Sequence, residues 1–133
     1  MEKRIVIHLG KITYEEIKGQ YKYILTEPYV YHTGIRIKKA IMSYGWELKT
    51  TGRLYIEAGY RWDGATGCPD TDEVMRGSLV HDPLCEAYNK GGLTKRWVKE
   101  INDIFVKICK EDGMGNFMCG FYRRMLKLYW RLK

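Results

Sequence analysis

The 133-residue sequence has four cysteines, but it lacks a CxxC pair and every spacing typical of a zinc ribbon or zinc finger. It lacks an apolar run of the roughly 18 residues that a membrane span needs, and its first charged residues come too early for a secretory signal. Internal repeats and low-complexity tracts are missing as well. These absences argue against a zinc module, a transmembrane segment and a secreted protein. They favour a cytoplasmic protein whose cysteines remain thiols.

What the sequence does have is the composition of a folded domain with a basic surplus. The hydrophobic fraction is 45%, the charged fraction is 29%, and 11 tyrosines and 4 tryptophans argue against disorder. This length is typical of one domain, so we expect a single domain over residues 1–133. The formal net charge of +7 favours an anionic partner, which can be a small molecule such as a nucleotide, nucleic acid or a membrane surface.

Residues 1–62 have the pattern of strands, because β-branched and aromatic residues alternate with polar ones between glycines and prolines. We predict strands at Arg4–His8, Tyr21–Thr26 and Tyr29–His32, followed by an extended segment through Ile35 and Ile37. Lys38–Tyr44 fits either a helical turn or a strand. A hairpin turning at Thr50, Thr51 and Gly52 is predicted to join Trp46–Lys49 to Arg53–Arg61. These segments predict an antiparallel β meander.

Residues 70–133 change to the three- and four-residue spacing of amphipathic helices. The first helix is predicted to start at a cap formed by Asp70 or Thr71 and to end near Gly91, with one face made of Val74, Ser78, His81, Cys85 and Tyr88. The second follows Thr94 and ends at Gly113, with a stripe made of Trp97, Ile101, Ile104, Phe105 and Ile108. Strands followed by helices predict an α+β fold, with about three helices packed on one face of the sheet.

The third helix, Phe117–Leu132, is basic and contains no acidic residue. We predict that it docks through Phe117, Phe121, Met125 and Leu128 and exposes its basic side chains. Those basic side chains can be a solvated face, phosphate contacts for a nucleotide or nucleic acid, or contacts with a membrane surface. Arg76 and Lys95 are candidates for the same anionic site.

Two motifs could provide chemistry. The first is the glycine-containing loop after the last predicted strand, where Asp63, Gly64 and Thr66 are candidate ligand-binding residues. Asp63 can instead satisfy backbone amides of a local Asp-Gly turn.

The second motif is His81-Asp82-Pro83 in the first predicted helix. His81 can be a hydrogen-bonded core residue, a metal ligand or a general base.

Pro83 lacks a backbone N–H, so we expect a break in this helix. One interpretation makes Asp82 the N-cap of a short new helix that starts at Pro83. The other turns Asp82 towards His81 and Asp63, where two carboxylates and an imidazole, joined by Glu86, could hold a divalent metal ion.

The order of the motifs resembles a phage and bacterial family, domain-of-unknown-function family 1353. The resemblance lies in Trp-Asp-Gly-Ala-Thr, in Arg-Gly-x-Leu-Val-His-Asp-x-Leu-Cys and in Asn-Asp-Ile-Phe, and it covers roughly residues 23–130. It implies that the loop acid is Asp63 and that the His-Asp pair is His81 and Asp82. The third motif departs from the family, because Asn102 stands where its members usually have Asp. The resemblance implies a phage or prophage origin, hence the cytoplasm of a bacterial host, and no established activity.

Three functions fit these residues. The favoured one is a phage-type accessory protein with a pocket at the junction of sheet and helices that binds an anionic small molecule such as a nucleotide. Its ligand-binding residues would be Asp63, Gly64, Thr66, Arg76 and Asn102. The second is a metal-dependent hydrolase, with His81 and Asp82 as catalytic residues and with Asp63, His81, Asp82 and Glu86 as metal ligands. The third is a structural or assembly protein in which the motifs only stabilise the fold. Asn102 favours binding over catalysis, because an amide cannot act as a base.

Overall fold

The computed structural model describes residues 3–20, 22–65 and 70–131. Two compact units, Met1–Cys68 and Pro69–Lys133, divide the chain. The first is built of strands and the second of helices, so the predicted α+β class is confirmed. We expected one domain, with the helices packed on a face of the sheet. Both expectations depend on the arrangement of the two units, and they stay predictions. Within the described ranges, no helix is both long enough and apolar enough to cross a membrane.

The described part of the first unit contains eight strands in two antiparallel sheets. Their bounds are β1 Arg4–Leu9, β2 Ile12–Ile17, β3 Lys22–Leu25, β4 Tyr29–His32, β5 Ile41–Ser43, β6 Trp46–Leu48, β7 Arg53–Ile56 and β8 Arg61–Trp62. One sheet has the order β1-β2-β3-β8 and the other has the order β4-β7-β6-β5. The predicted meander is therefore confirmed, but it is divided between two sheets.

Several strand predictions need correction. Strand β2 was not predicted, because its adjacent Glu15 and Glu16 interrupt the alternation of apolar and polar residues. The predicted strand Arg53–Arg61 ends at Ile56, and Arg61–Trp62 pairs with β3 in the other sheet. The segment through Ile35 and Ile37 is not a strand. Gly34 has a φ of 76°, and the Ile35 amide donates to the side chain of Thr33, so the backbone leaves the extended conformation there.

An aromatic cluster forms where β8 joins its sheet. The ring of Tyr14 lies 5.7 Å from that of Tyr23 and 5.5 Å from that of Trp62, with edge-to-face geometry in both pairs. All three side chains are buried. Because Trp62 is held in this cluster, it fixes the point at which the chain leaves β8 and enters the loop that begins with Asp63.

The second unit contains three helices, α1 Asp72–Asn89, α2 Val98–Glu111 and α3 Asn116–Arg131, with a 3₁₀ turn Lys95–Trp97 before α2. Thr71 is the N-cap residue of α1, as one of the two predicted alternatives had it. Four of the five residues predicted for the apolar face of α2 are buried, namely Ile101, Ile104, Phe105 and Ile108. The fifth, Trp97, is half-buried and lies in the 3₁₀ turn before α2. Gly113, with a φ of 107°, follows the end of α2 in the left-handed conformation that glycine favours.

The predicted break at Pro83 is wrong, and so is the interpretation of Asp82 as the N-cap of a new helix. Asp82 and Pro83 lie inside α1, which runs through them without interruption. Pro83 cannot donate a hydrogen bond to the carbonyl of Leu79, so one bond of the helix is lost at this position. The ring of Pro83 is buried, and this burial offsets part of that loss.

The predicted docking face of α3 is wrong for three of its four residues. Phe117 is 86% exposed, Leu128 is 56% exposed and Phe121 is 46% exposed. Met125 is half-buried, whereas Cys119 and Tyr122, which were not predicted to dock, are buried. The Tyr122 ring contacts Phe105 of α2, with ring centroids 5.7 Å apart. The helix is thus rotated so that its smaller apolar face packs on α2. The sequence contains two apolar faces on α3, and periodicity alone could not show which one packs.

Candidate functional site

His81 lies on α1 and contacts two residues of α2. Its ring meets Phe105 edge-on, with ring centroids 5.3 Å apart. Its Nε2 lies 3.4 Å from Asn102 Oδ1, and the Cys85 Sγ lies 3.5 Å from its Nδ1. When Nε2 carries the proton, the ring donates to Asn102 and accepts from the Cys85 thiol, so one tautomer satisfies both contacts. The structure therefore connects His81 with Asn102, two of the predicted site residues.

Asn102 also joins α2 to α3. The Trp130 Nε1 donates to Asn102 Oδ1 over 2.9 Å, so one oxygen receives contacts from both Trp130 and His81. The Trp130 ring packs edge-on against Tyr88, the penultimate residue of α1, with ring centroids 4.8 Å apart. Asn102 is only 8% exposed. This amide is the point at which the three helices meet, and it holds the Trp130 ring in place.

A groove lies beside this junction. Its volume is about 850 Å³, within the range of about 300–1,000 Å³ usual for small-molecule sites. Eleven of the described residues line it, namely Tyr88, Lys95, Val98, Lys99, Asn102, Asp103, Arg123, Arg124, Lys127, Trp130 and Arg131. We call this cavity the basic groove. Six of these side chains are cationic and Asp103 is the one carboxylate among them, so the groove attracts anions.

Asp103 neutralises only part of this charge. Its carboxylate accepts a hydrogen bond from Lys99 Nζ over 2.9 Å and lies 3.8 Å from Arg123 Nε. The hydrogen bond with Asp103 raises the pKa of Lys99 and keeps this ammonium charged. No residue in the described ranges forms a salt bridge with Lys95, Arg124, Lys127 or Arg131. Four cations of the groove are therefore available to an anionic ligand.

Arg76 does not line the basic groove, so the structure does not bring it together with Lys95 in one anionic site. Its guanidinium donates through Nε and Nη2 to both oxygens of Asp112, at 3.0 Å each, and through Nη2 to Glu111 at 2.8 Å. Arg76 is 3% exposed. Two carboxylates at the end of α2 thus engage this cation, and they identify Arg76 as a residue that joins α1 to α2.

The predicted loop residues lie in the first unit. Asp63 is exposed and directly follows β8, whereas Gly64 is buried with a φ of 81°. Thr66 lies outside the described residues. Since His81, Asp82, Glu86 and Asn102 all belong to the second unit, a joint site with Asp63 stays a prediction.

Asp82 and Glu86, the other predicted metal ligands, lie on α1, where Asp82 is half-buried and Glu86 is exposed. Within residues 3–20, 22–65 and 70–131, no group of three or more His, Cys, Asp or Glu side chains could hold a metal ion. The predicted metal set of Asp63, His81, Asp82 and Glu86 therefore has no support from the described residues. The hydrolase hypothesis depends on that set.

The aromatic part of the site was not predicted from the sequence. Periodicity placed Tyr88 on a helix face and gave Trp130 no role, yet these two rings form a wall of the basic groove. An anionic site shared by Lys95 and the basic side chains of α3 was one of the alternatives that the sequence left open, and these residues do line the groove. A signal for Trp130 was present, since Trp130 lies three residues after Lys127 and therefore on the same side of the helix.

The fold and the groove together define an α+β protein whose helical unit has a basic, aromatic-walled cavity. Comparison with protein-family models, with curated proteins and with solved structures finds no match. The resemblance to family 1353 therefore stays a prediction based on the motifs alone.

Proposed function

We propose that the basic groove binds an anionic small molecule that has an aromatic base, and that a nucleotide is the best fit. The observation that carries this proposal is the composition of the groove, in which six cationic side chains and two aromatic rings line about 850 Å³ with one carboxylate among them. This location differs from the predicted one, because every lining residue belongs to the second unit.

The phosphate end of the ligand would lie along α3. Arg124, Lys127 and Arg131 are separated by three and four residues, so they share one side of the helix. Lys95 lies across the groove in the 3₁₀ turn before α2. A triphosphate has several anionic oxygens, and contacts from both walls would hold it with charge-assisted hydrogen bonds.

The base end of the ligand would lie at Trp130. This ring lines the groove and is held by its hydrogen bond to Asn102, so it offers a fixed aromatic surface at little cost in conformational entropy. No described residue accepts a hydrogen bond from Asn102 Nδ2, which leaves this amide able to donate to a ring nitrogen or carbonyl of a base. Binding rather than hydrolysis is proposed, since an asparagine cannot serve as a base.

Isothermal titration with ATP, ADP, AMP, adenosine and inorganic triphosphate tests the proposal. Affinity is expected to rise with the number of phosphates, to fall with added salt and to be lower for triphosphate alone than for ATP. Lys127→Ala should weaken ATP binding about tenfold, because it removes one charge-assisted contact. Lys107→Ala is the matched control, since Lys107 is an exposed lysine of α2 outside the groove.

Two results would contradict the proposal. One is the absence of heat and of a thermal shift with every nucleotide. The other is equal weakening by Lys127→Ala and Lys107→Ala, which would indicate non-specific attraction to a basic surface.

Nucleic acid is the alternative partner with the same chemistry. Tighter binding of a single-stranded oligonucleotide than of any nucleotide, weakened by Lys127→Ala, would reassign the groove to nucleic acid.

A further inference from the structure

The outward side of α3 is apolar. Phe117 is 86% exposed, Leu128 is 56% exposed and Phe121 is 46% exposed. At 3.6 residues per turn, these three residues lie within about 40° of one another around the helix axis and extend over roughly 16 Å of its length. Met118 and Tyr129, 41% and 45% exposed, widen this surface on one side. We call these five residues the apolar stripe.

The apolar stripe is separate from the packing of the second unit. The residues by which α3 packs include Cys119 and Tyr122, both buried, and Trp130, which bonds to Asn102 of α2. Nor does any residue of the apolar stripe line the basic groove. Neither the fold of this unit nor the groove accounts for three large apolar side chains that are exposed along one side of a helix. An exposed apolar surface of this kind marks an interaction site.

The other edge of the apolar stripe is cationic. Arg124 and Arg131 adjoin Phe117, Phe121 and Leu128 on the side away from Met118, and Lys127 lies next to them. Residues 116–131 contain four basic residues and no acidic residue. An apolar face beside a basic face is the pattern of helices that lie in the interface of an anionic membrane, where the apolar side chains enter the acyl boundary and the cations meet lipid phosphates.

We propose that α3 docks on an anionic lipid surface through the apolar stripe. This proposal goes beyond nucleotide binding and does not depend on it. A second copy of the chain is a poorer occupant of the stripe, because two such helices in contact would bring their basic edges together without an acidic residue on either helix to pair with them. Lipid phosphates, in contrast, complement both the apolar row and its cationic edge.

Flotation with vesicles tests the proposal. The wild-type protein should float with vesicles that contain phosphatidylglycerol, remain unbound with pure phosphatidylcholine and be released by high salt. The triple variant Phe117→Ser/Phe121→Ser/Leu128→Ser should bind at least about tenfold more weakly, since it removes three side chains that would be buried in lipid. Tyr44→Ser is the matched control, because Tyr44 is 91% exposed in the first unit and its loss should leave vesicle binding unchanged.

Circular dichroism of the triple variant checks that it folds. ATP titration of the same variant separates the lipid proposal from the nucleotide proposal, because the substitutions lie outside the basic groove and nucleotide binding should be unaffected. Vesicle binding that is lost equally in Tyr44→Ser, or that survives in the triple variant, would overturn the proposal. So would failure of the wild type to bind anionic vesicles. Sedimentation velocity tests whether a second copy of the chain covers the apolar stripe. If the wild type forms a dimer that the triple variant does not form, and does not bind vesicles, the apolar stripe is assigned to a second copy.

Discussion

The indole N–H of Trp130 donates to the side-chain oxygen of Asn102 over 2.9 Å, and this bond ties α3 to α2 at the base of the basic groove. Asn102 is 8% exposed, so the acceptor of this bond is a largely buried amide oxygen. The bond therefore has two consequences, one for stability and one for the orientation of the ring that the proposed nucleotide would contact.

A double-mutant cycle measures how much this hydrogen bond contributes to the free energy of unfolding. Asn102→Leu should lower the free energy of unfolding by about 1–3 kcal/mol, because it removes the oxygen that accepts from Trp130 Nε1 and contacts His81 Nε2. Trp130→Phe should cost less in the Asn102→Leu background than in the wild type, with a coupling of about 1 kcal/mol in urea denaturation. Additive effects of the two substitutions would show that the bond contributes nothing to stability.

Arg76 is expected to affect stability and not ligand binding. Arg76→Met should lower the free energy of unfolding by about 2–4 kcal/mol, since it removes a buried cation from Asp112 and Glu111. Arg76→Lys should restore only part of this loss, because an ammonium cannot make the paired bonds of a guanidinium. ATP affinity of the folded Arg76→Lys variant should match the wild type. A large loss of affinity would return Arg76 to the ligand site.

Gly77 of α1 lies close to the backbone of α2. A Cβ at this position would lie 2.9 Å from Cys109 Sγ and 3.2 Å from the carbonyl oxygen of Phe105. Gly77→Ala should therefore destabilise the protein by about 1–3 kcal/mol, measured by urea denaturation. Gly120→Ala is the control, since a Cβ added there would meet nothing within 4 Å. At that position the substitution should stabilise α3 by up to about 1 kcal/mol, as expected for alanine in a helix.

Burial raises the pKa of the Cys109 thiol to about 12, from an ordinary value of 9.0. Between these values the unfolded chain releases a proton that the folded chain keeps, so the stability contributed by the protonated thiol is complete below about pH 9 and falls as the pH rises towards 12. The wild type should lose more stability than Cys109→Ala between about pH 8 and about pH 11. Parallel pH profiles of the wild type and Cys109→Ala would contradict this expectation.

The burial of Cys109 can also be tested by its reactivity. At neutral pH, alkylation followed by mass spectrometry should show that Cys85 reacts faster than Cys109.

The two faces of α3 should respond oppositely to substitution. Tyr122 is 5% exposed and contacts Phe105, so Tyr122→Ser should destabilise the protein by about 3 kcal/mol or more. Phe117→Ser should change the stability by less than about 0.5 kcal/mol, because this side chain is 86% exposed. Thermal melts of the two variants compare them directly. The reverse ranking would restore the docking face that periodicity suggested.

The elements whose pattern is local were predictable from the sequence. The stripe of α2 repeats at the helical period, and the strand Tyr29–His32 has its predicted bounds. Errors arose where a long-range contact decided the outcome. β2 gains its order from pairing with both β1 and β3, and Pro83 remains helical because packing holds the chain around it. Neither the pairing of β2 nor the packing around Pro83 can be predicted from the short-range periodicity of the sequence.

The candidate site divides in the same way. The amino-acid order shows which residues are cationic, that α3 has no acidic residue, and that His81 and Asn102 are polar residues on or beside the apolar faces of their helices. The folded chain was needed to show that the basic residues of α3 and Lys95 line one groove, that carboxylates engage Arg76, and which apolar face of α3 packs. Charge and periodicity are properties of one segment, whereas a groove, an ion pair and a packed face each require two segments to meet.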